Sequence, residues 1–285
     1  MRSEGRSKPL ALRSGLCAMS LSARLNEVSR HPLMPAGSPC RDAGAGCKGV
    51  FVLELRQVSK RYGDKTILRN VSLRLEAGST YGLVGVNGAG KTTFLKIVKR
   101  LIAQHEGEVF LRGSNITNKD ANDVSISYVC DTPAFFSDLV MEEQMLLVAK
   151  ARGLSKQEAL KRMERYAEKL ELISYLGYYP HALSRGTQQR FNTVLSFLGD
   201  CDLYLYDEPF ITLDPVQVRN LESVFAERRS QGLTQVVSSH NLESLERICD
   251  TYLVLSRGGI ESFSQEDADE DRIMRYLNES DRGIC

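Results

Sequence analysis

The segment Gly85-Val86-Asn87-Gly88-Ala89-Gly90-Lys91-Thr92 has the G-x-x-x-x-G-K-[ST] spacing of a phosphate-binding loop, the Walker A pattern. Glycines at this spacing let backbone N–H groups curl inward around phosphate oxygens, and a helix starting at the lysine turns its positive end to the same anion. Lys91 is expected to reach the β- and γ-phosphates and Thr92 to bind Mg2+ through its hydroxyl, with Thr93 beside it in the first helical turn. Beyond Lys91 by 116 residues, the apolar run Leu203-Tyr204-Leu205-Tyr206 ends in Asp207 and Glu208. An aspartate placed there holds Mg2+ through water, and a glutamate next to it polarises an attacking water as general base. The implied ligands are ATP and Mg2+, and the implied chemistry is phosphoryl transfer to water.

These side chains need a frame. Thr80-Tyr81-Gly82-Leu83-Val84 reads as a strand buried on both faces, and Phe94, Ile97 and Val98 carry a helical pattern after the glycine loop. Earlier, Phe51, Leu53 and Leu55 alternate with Val52, Glu54 and Arg56 as in a strand, interrupted by turn residues at Tyr62, Gly63 and Asp64; a second strand is expected at Val71–Leu75. The middle of the chain reads as helical: Ser155-Lys156-Gln157-Glu158 has capping-box spacing and opens a helix running to about Leu170. Strands return at Leu203–Tyr206, Thr234–Ser238 and Thr251–Leu255, separated by helix-length segments, which implies right-handed crossovers and a parallel sheet.

Composition narrows the class. Among 285 residues, 26% are charged and 42% apolar, ordinary values for a folded chain in water. Apolar clusters such as Met145–Ala149 fall far short of the roughly 18–20 residues that span a bilayer, so no membrane crossing is expected. A net charge of +1 lacks the footprint of a dedicated nucleic-acid binder. The balance is uneven: residues 1–50 hold eight Lys and Arg against three acids, and the remainder is net negative. That Arg-, Ser-, Gly- and Pro-rich start reads as a disordered extension or a start codon called too early, with an organelle transit peptide as the other reading. Seven cysteines without paired spacing imply a reducing compartment.

Between the two phosphate motifs, Leu183-Ser184-Arg185-Gly186-Thr187-Gln188-Gln189-Arg190 resembles the LSGGQ signature of the ATP-binding-cassette (ABC) ATPases. Ser184 and Gly186 keep the family's positions. The resemblance implies that this segment closes over the γ-phosphate held by an opposite subunit, that Tyr62 stacks on adenine, that Asp214 is the acid of the loop after the Walker B strand, and that His240 is the switch histidine. It covers about residues 51–263. The implied fold is an α/β P-loop NTPase of ABC type: a mixed central sheet, an antiparallel β subdomain and an inserted helical subdomain at about 132–195. Residues 264–285 read as an acidic tail, either a solvated charge run or a short helix.

Two departures stand out. Asp131 occupies the place of the family's usual Gln near the metal, and Arg185 and Thr187 replace Gly and Gln of the signature. Both features resemble the ATPase subunits of type-2 exporters. The 93 residues from Lys91 to Ser184 leave no room for the long coiled coil of DNA-repair relatives, and a single Walker A motif separates the chain from two-cassette translation factors. The expected protein is an exporter ATPase on the cytoplasmic face of the cell membrane. Its partners are a permease encoded on another chain and a second ATPase subunit, as a homodimer, with no nucleic acid. Pro133-Ala134-Phe135-Phe136 is the expected permease contact. The other reading is a nucleotide-dependent dimerisation switch that regulates a partner without sustained turnover.

Overall fold

The computed structural model describes residues 50–267 together with Ile273 and Leu277. Strands β1 (Phe51–Tyr62) and β2 (Lys65–Glu76) form an antiparallel hairpin turned at Gly63-Asp64. β2 is longer than the segment expected from sequence, because Asn70 at φ 49° forms a bulge that breaks the period-two pattern ahead of Val71. β4 (Glu106–Leu111) pairs with β1, and the two-residue β5 (Ser114–Asn115) completes an antiparallel sheet of order β2-β1-β4-β5.

The second sheet contains β3 (Thr80–Val84), β6 (Ile126–Val129), β7 (Leu203–Asp207), β8 (Gln235–Ser238), β9 (Thr251–Ser256) and β10 (Gly259–Ser264), in the order β10-β9-β3-β8-β7-β6. Its strands run parallel except β10, which turns back along β9. Every residue of β3, β7 and β8 is buried, as strands covered on both faces require. Helix α1 (Lys91–Val98) follows β3 and contributes Phe94, Leu95, Ile97 and Val98 to one apolar cluster shared with residues of both sheets.

Helices α2 (Met141–Ala151), α3 (Lys156–Lys169) and α4 (Arg185–Phe197) lie in the chain between β6 and β7. Ser155 accepts the Glu158 N–H at 3.2 Å and so caps α3 where its spacing indicated. Helix α5 (Pro215–Ser230) links β7 to β8, and the five-residue α6 (Leu242–Glu246) links β8 to β9. Tyr166 of α3, Phe197 of α4, Tyr206 of β7 and Phe225 of α5 stack in series at centroid spacings of 4.7, 6.3 and 4.7 Å. The Arg228 guanidinium lies 4.3 Å from the rings of both Phe197 and Tyr204. Contacts of this kind add about 0.5–1.5 kcal/mol each beyond burial, and here they fix the helical layer to the strand that ends in Asp207.

No helix among the described residues is long and apolar enough to cross a membrane. The expectations for residues 1–50 lie, apart from Val50, outside the described residues, as does most of the acidic tail. Ile273 and Leu277, one helical turn apart, are helical and buried.

Candidate nucleotide site

Three neighbouring parallel strands build the site. Leu83 of β3 and Asp207 of β7 both pair with Ser238 of β8, so the segments leaving the three strands emerge side by side. Those segments carry the Gly85 loop, Glu208 and His240.

Gly90 caps α1 at φ 111°, in a region closed to other L residues. A Cβ there would sit 2.6 Å from Ile67 Cγ2, so the turn admits glycine on two counts. Gly88 also has positive φ, while a Cβ on Gly85 would meet the Leu255 carbonyl at 2.9 Å. Asn87 and Gly88 are exposed, and Ala89, Thr92 and Thr93 are half-buried. No side chain caps α1 and no acid lies in its first turn, so its leading N–H groups and dipole remain available to an anion. Gly90→Ala is expected to cost at least about 2 kcal/mol of stability through strain and to abolish nucleotide binding, as read by thermal denaturation and fluorescent-nucleotide titration.

Lys91 is buried; its Nζ donates to the Gly85 carbonyl at 2.8 Å and lies 3.3 Å from Glu208 Oε1. The other Glu208 oxygen is 3.0 Å from Nδ1 of the largely exposed His240. Glu208 has φ 51°, an uncommon backbone state for a non-glycine residue, and its N–H donates to Ser238 Oγ at 2.9 Å. Ser238 Oγ in turn donates to Asp207 Oδ1 at 2.9 Å, and Tyr128 Oη donates to Oδ2 at 3.1 Å. Burial and the Asp207 charge both push the Tyr128 phenol well above its usual range, so it stays a donor.

The structure thus brings together Gly85, Lys91, Asp207, Glu208 and His240. Sequence reasoning missed Tyr128 and Ser238; Ser238 closes the buried strand β8, and Tyr128 is the one half-buried residue of β6. Asp131 is not brought in: it is exposed in the loop after β6 and makes no hydrogen bond or ion pair with described residues. Tyr62, half exposed at the end of β1, has Lys60 Nζ 4.7 Å from its ring centroid.

Ser184 caps α4 by accepting the Thr187 N–H at 3.2 Å, and its Oγ lies 2.8 Å from Thr187 Oγ1. A Cβ on Gly186 would meet the Thr212 carbonyl at 2.7 Å, so the signature touches the segment after β7 in the same chain. Asp214 caps α5, accepting the Val216 and Gln217 N–H groups at 2.9 Å. No hydrogen bond or ion pair joins Ser184, Gly186 or Asp214 to the Gly85 loop within the described residues.

The donor set suits a polyphosphate: a glycine loop, an uncapped helix start, a buried lysine and a carboxylate beyond it. No group of three or more His, Cys, Asp or Glu among the described residues is arranged to hold a metal; Asp207 and the Thr92 hydroxyl are oxygen donors of the hard kind that Mg2+ takes, with water and phosphate oxygens able to fill the rest of its shell.

Residues 68–211 match the ABC transporter family. EcsA of Bacillus subtilis (strain 168), an ABC-type transporter ATP-binding protein, is 30% identical over 243 residues, covering 81% of this chain and 98% of its own. This chain belongs to the ABC transporter family. It is an ABC transporter ATP-binding subunit and an ATPase. Two further relatives are the glycine betaine/carnitine/choline transport ATP-binding protein OpuCA of B. subtilis and the bacitracin transport ATP-binding protein BcrA of Enterococcus faecalis. OpuCA is 34% identical, covering 73% of this chain and 56% of its own; BcrA is 31% identical, covering 73% and 67%. A solved structure of an ATP-binding subunit of an ABC transporter superposes with a TM-score of 0.73 at 28% identity, covering 80% of this chain and 99% of that one.

Proposed function

We infer that this ATPase drives an exporter whose membrane permease is a separate chain, and that two copies bind ATP and Mg2+ between them. The observation that carries the catalytic part is the Lys91–Glu208–His240 cluster beside the hydrogen-bonded Asp207. Lys91 and the N–H groups of α1 hold phosphate oxygens, and Tyr62 offers its ring to the base. Because Lys91 and Glu208 are paired, a phosphate that draws Lys91 away frees the Glu208 carboxylate to take a proton from water. His240 keeps the other carboxylate oxygen oriented. Thr92 and Asp207 are the residues to hold Mg2+, with Asp131 nearby in sequence to β6; when bound, the cation neutralises charge on the phosphates. Ser184 and Gly186, at the start of α4, face the nucleotide of the second copy, with Asp214 fixing the adjoining segment.

The permease contact is argued from an aromatic face. Phe136 is 61% exposed, and its N–H donates to Gln144 Oε1 of α2 at 3.0 Å. Met141 N–H donates to the Tyr178 carbonyl at 3.0 Å, so the exposed Tyr178 and Tyr179 are anchored to the start of the same helix. Exposed aromatics grouped on a rigid helix start suit burial in a protein interface. The assembly places the ATPase on the cytoplasmic face of the cell membrane. Export rests on Asp131 and on Arg185 and Thr187 of the signature.

Affinity capture of the tagged chain from detergent-solubilised membranes, followed by mass spectrometry, tests this reading: a permease should co-purify. Phe136→Asp should reduce that recovery at least tenfold while the isolated protein keeps its ATPase rate within about twofold, because loss of a central aromatic anchor costs about 2 kcal/mol or more of binding. Undiminished recovery places the contact elsewhere.

A further inference from the structure

Asp207 is 1% exposed, and each of its carboxylate oxygens accepts a hydrogen bond from a side chain outside the phosphate motifs. One donor is Ser238 Oγ, whose orientation is set from behind: it accepts the Glu208 N–H at 2.9 Å, and its own proton goes forward to Asp207 Oδ1. The other is Tyr128 Oη at 3.1 Å from Oδ2. Tyr128 lies on β6 directly opposite Leu205, and its ring extends along β7 far enough to reach the aspartate. The two donors come from strands on either side of β7 and hold the carboxylate plane between them.

The geometry points to Tyr128 as a positioning residue whose hydroxyl sets the orientation of Asp207 and, through it, the divalent-cation affinity of the nucleotide site. This rests on the reading of Asp207 as the Mg2+-side carboxylate. A carboxylate free to rotate about its Cβ–Cγ bond presents its remaining lone pairs in many directions. One fixed by two donors presents them in one, and hydrogen-bond partners of that kind are worth about tenfold to a hundredfold in metal affinity. Tyr128→Phe keeps the ring and its packing and removes only the donor.

The test uses the full chain carrying Glu208→Gln, so that turnover does not intrude, with a non-hydrolysable ATP analogue. Bound Mn2+ is counted by electron paramagnetic resonance, and nucleotide affinity is measured separately in EDTA. Tyr128→Phe is expected to weaken Mn2+ binding about tenfold, to leave nucleotide affinity in EDTA unchanged, and to have no further effect once Asp207→Asn is present. Coincident Mn2+ curves for Tyr and Phe overturn the inference. So does an equal loss in the Asp207→Asn background, or a parallel fall in metal-free nucleotide affinity, since either assigns Tyr128 to general packing. If the parent protein with Tyr128 intact takes up no Mn2+ with the nucleotide, the reading of Asp207 fails instead.

Discussion

Lys91→Ala is expected to abolish ATP hydrolysis and to weaken ATP binding by at least tenfold to a hundredfold. Lys91 is nearly buried, its Nζ held 2.8 Å from the Gly85 carbonyl and 3.3 Å from Glu208, where the loop places it beside the phosphate cradle. Charge-assisted hydrogen bonds to phosphate are worth about 1.5–3 kcal/mol each, which sets the loss of affinity. Loss of rate should be larger, because a fixed cation counts most where charge builds up on the transferring group; removing one such donor costs about a hundredfold to a thousandfold. Isothermal titration with ATP and a phosphate-release assay check the two effects. An unchanged dissociation constant would remove the phosphate assignment, whatever became of the rate.

The candidate site is legible in the sequence wherever its parts are contiguous. Gly85 to Thr93 pack a loop, a helix start and their chemistry, and Leu203 to Glu208 a strand end and its chemistry, into fewer than ten residues each, so pattern and context can be read together. Tyr128 and Ser238 were not legible, because their role exists only through the register of β6, β7 and β8, which lie far apart in the chain. Asp214 shows the opposite case. Family order makes it the acid of the loop after the Walker B strand, while Asp-Pro before a helix is also a capping signal, and Asp214 Oδ1 accepts both the Val216 and Gln217 N–H groups. Asp131 is expected near the metal because it stands where the family has Gln, and in the structure it is exposed in the loop after β6.

The elements were read most easily where burial was two-sided. β3, β7 and β8 are buried along their whole length and carry apolar centres with no exposed face to alternate, with polar residues at their ends. β2, β4 and β10 carry polar residues on an exposed side, and their pairing is antiparallel, so local pattern alone understated them. The bulge at Asn70 hid the first half of β2 further, because one inserted residue shifts which side chains face the core.

Glu208→Gln is expected to lower the rate of ATP hydrolysis by about a hundredfold to ten-thousandfold, the range that a positioned general base supplies. The amide keeps the size of the carboxylate and can still meet His240, so the loop should hold its shape. It cannot take a proton from water, and it cannot form an ion pair with Lys91. The pair at 3.3 Å must be parted whenever phosphate engages the lysine, so removing the charge on Glu208 also removes a competitor for Lys91. Affinity for ATP should therefore be equal to or tighter than that of the native protein, while turnover collapses. This combination separates the two classes of function that the sequence left open. A transporter ATPase needs the base on every cycle, whereas a dimerisation switch needs only the bound nucleotide. Single-turnover hydrolysis and equilibrium ATP binding, measured on the same two proteins, decide the matter: turnover that survives Glu208→Gln would mean that Glu208 is a partner for Lys91 and not a base.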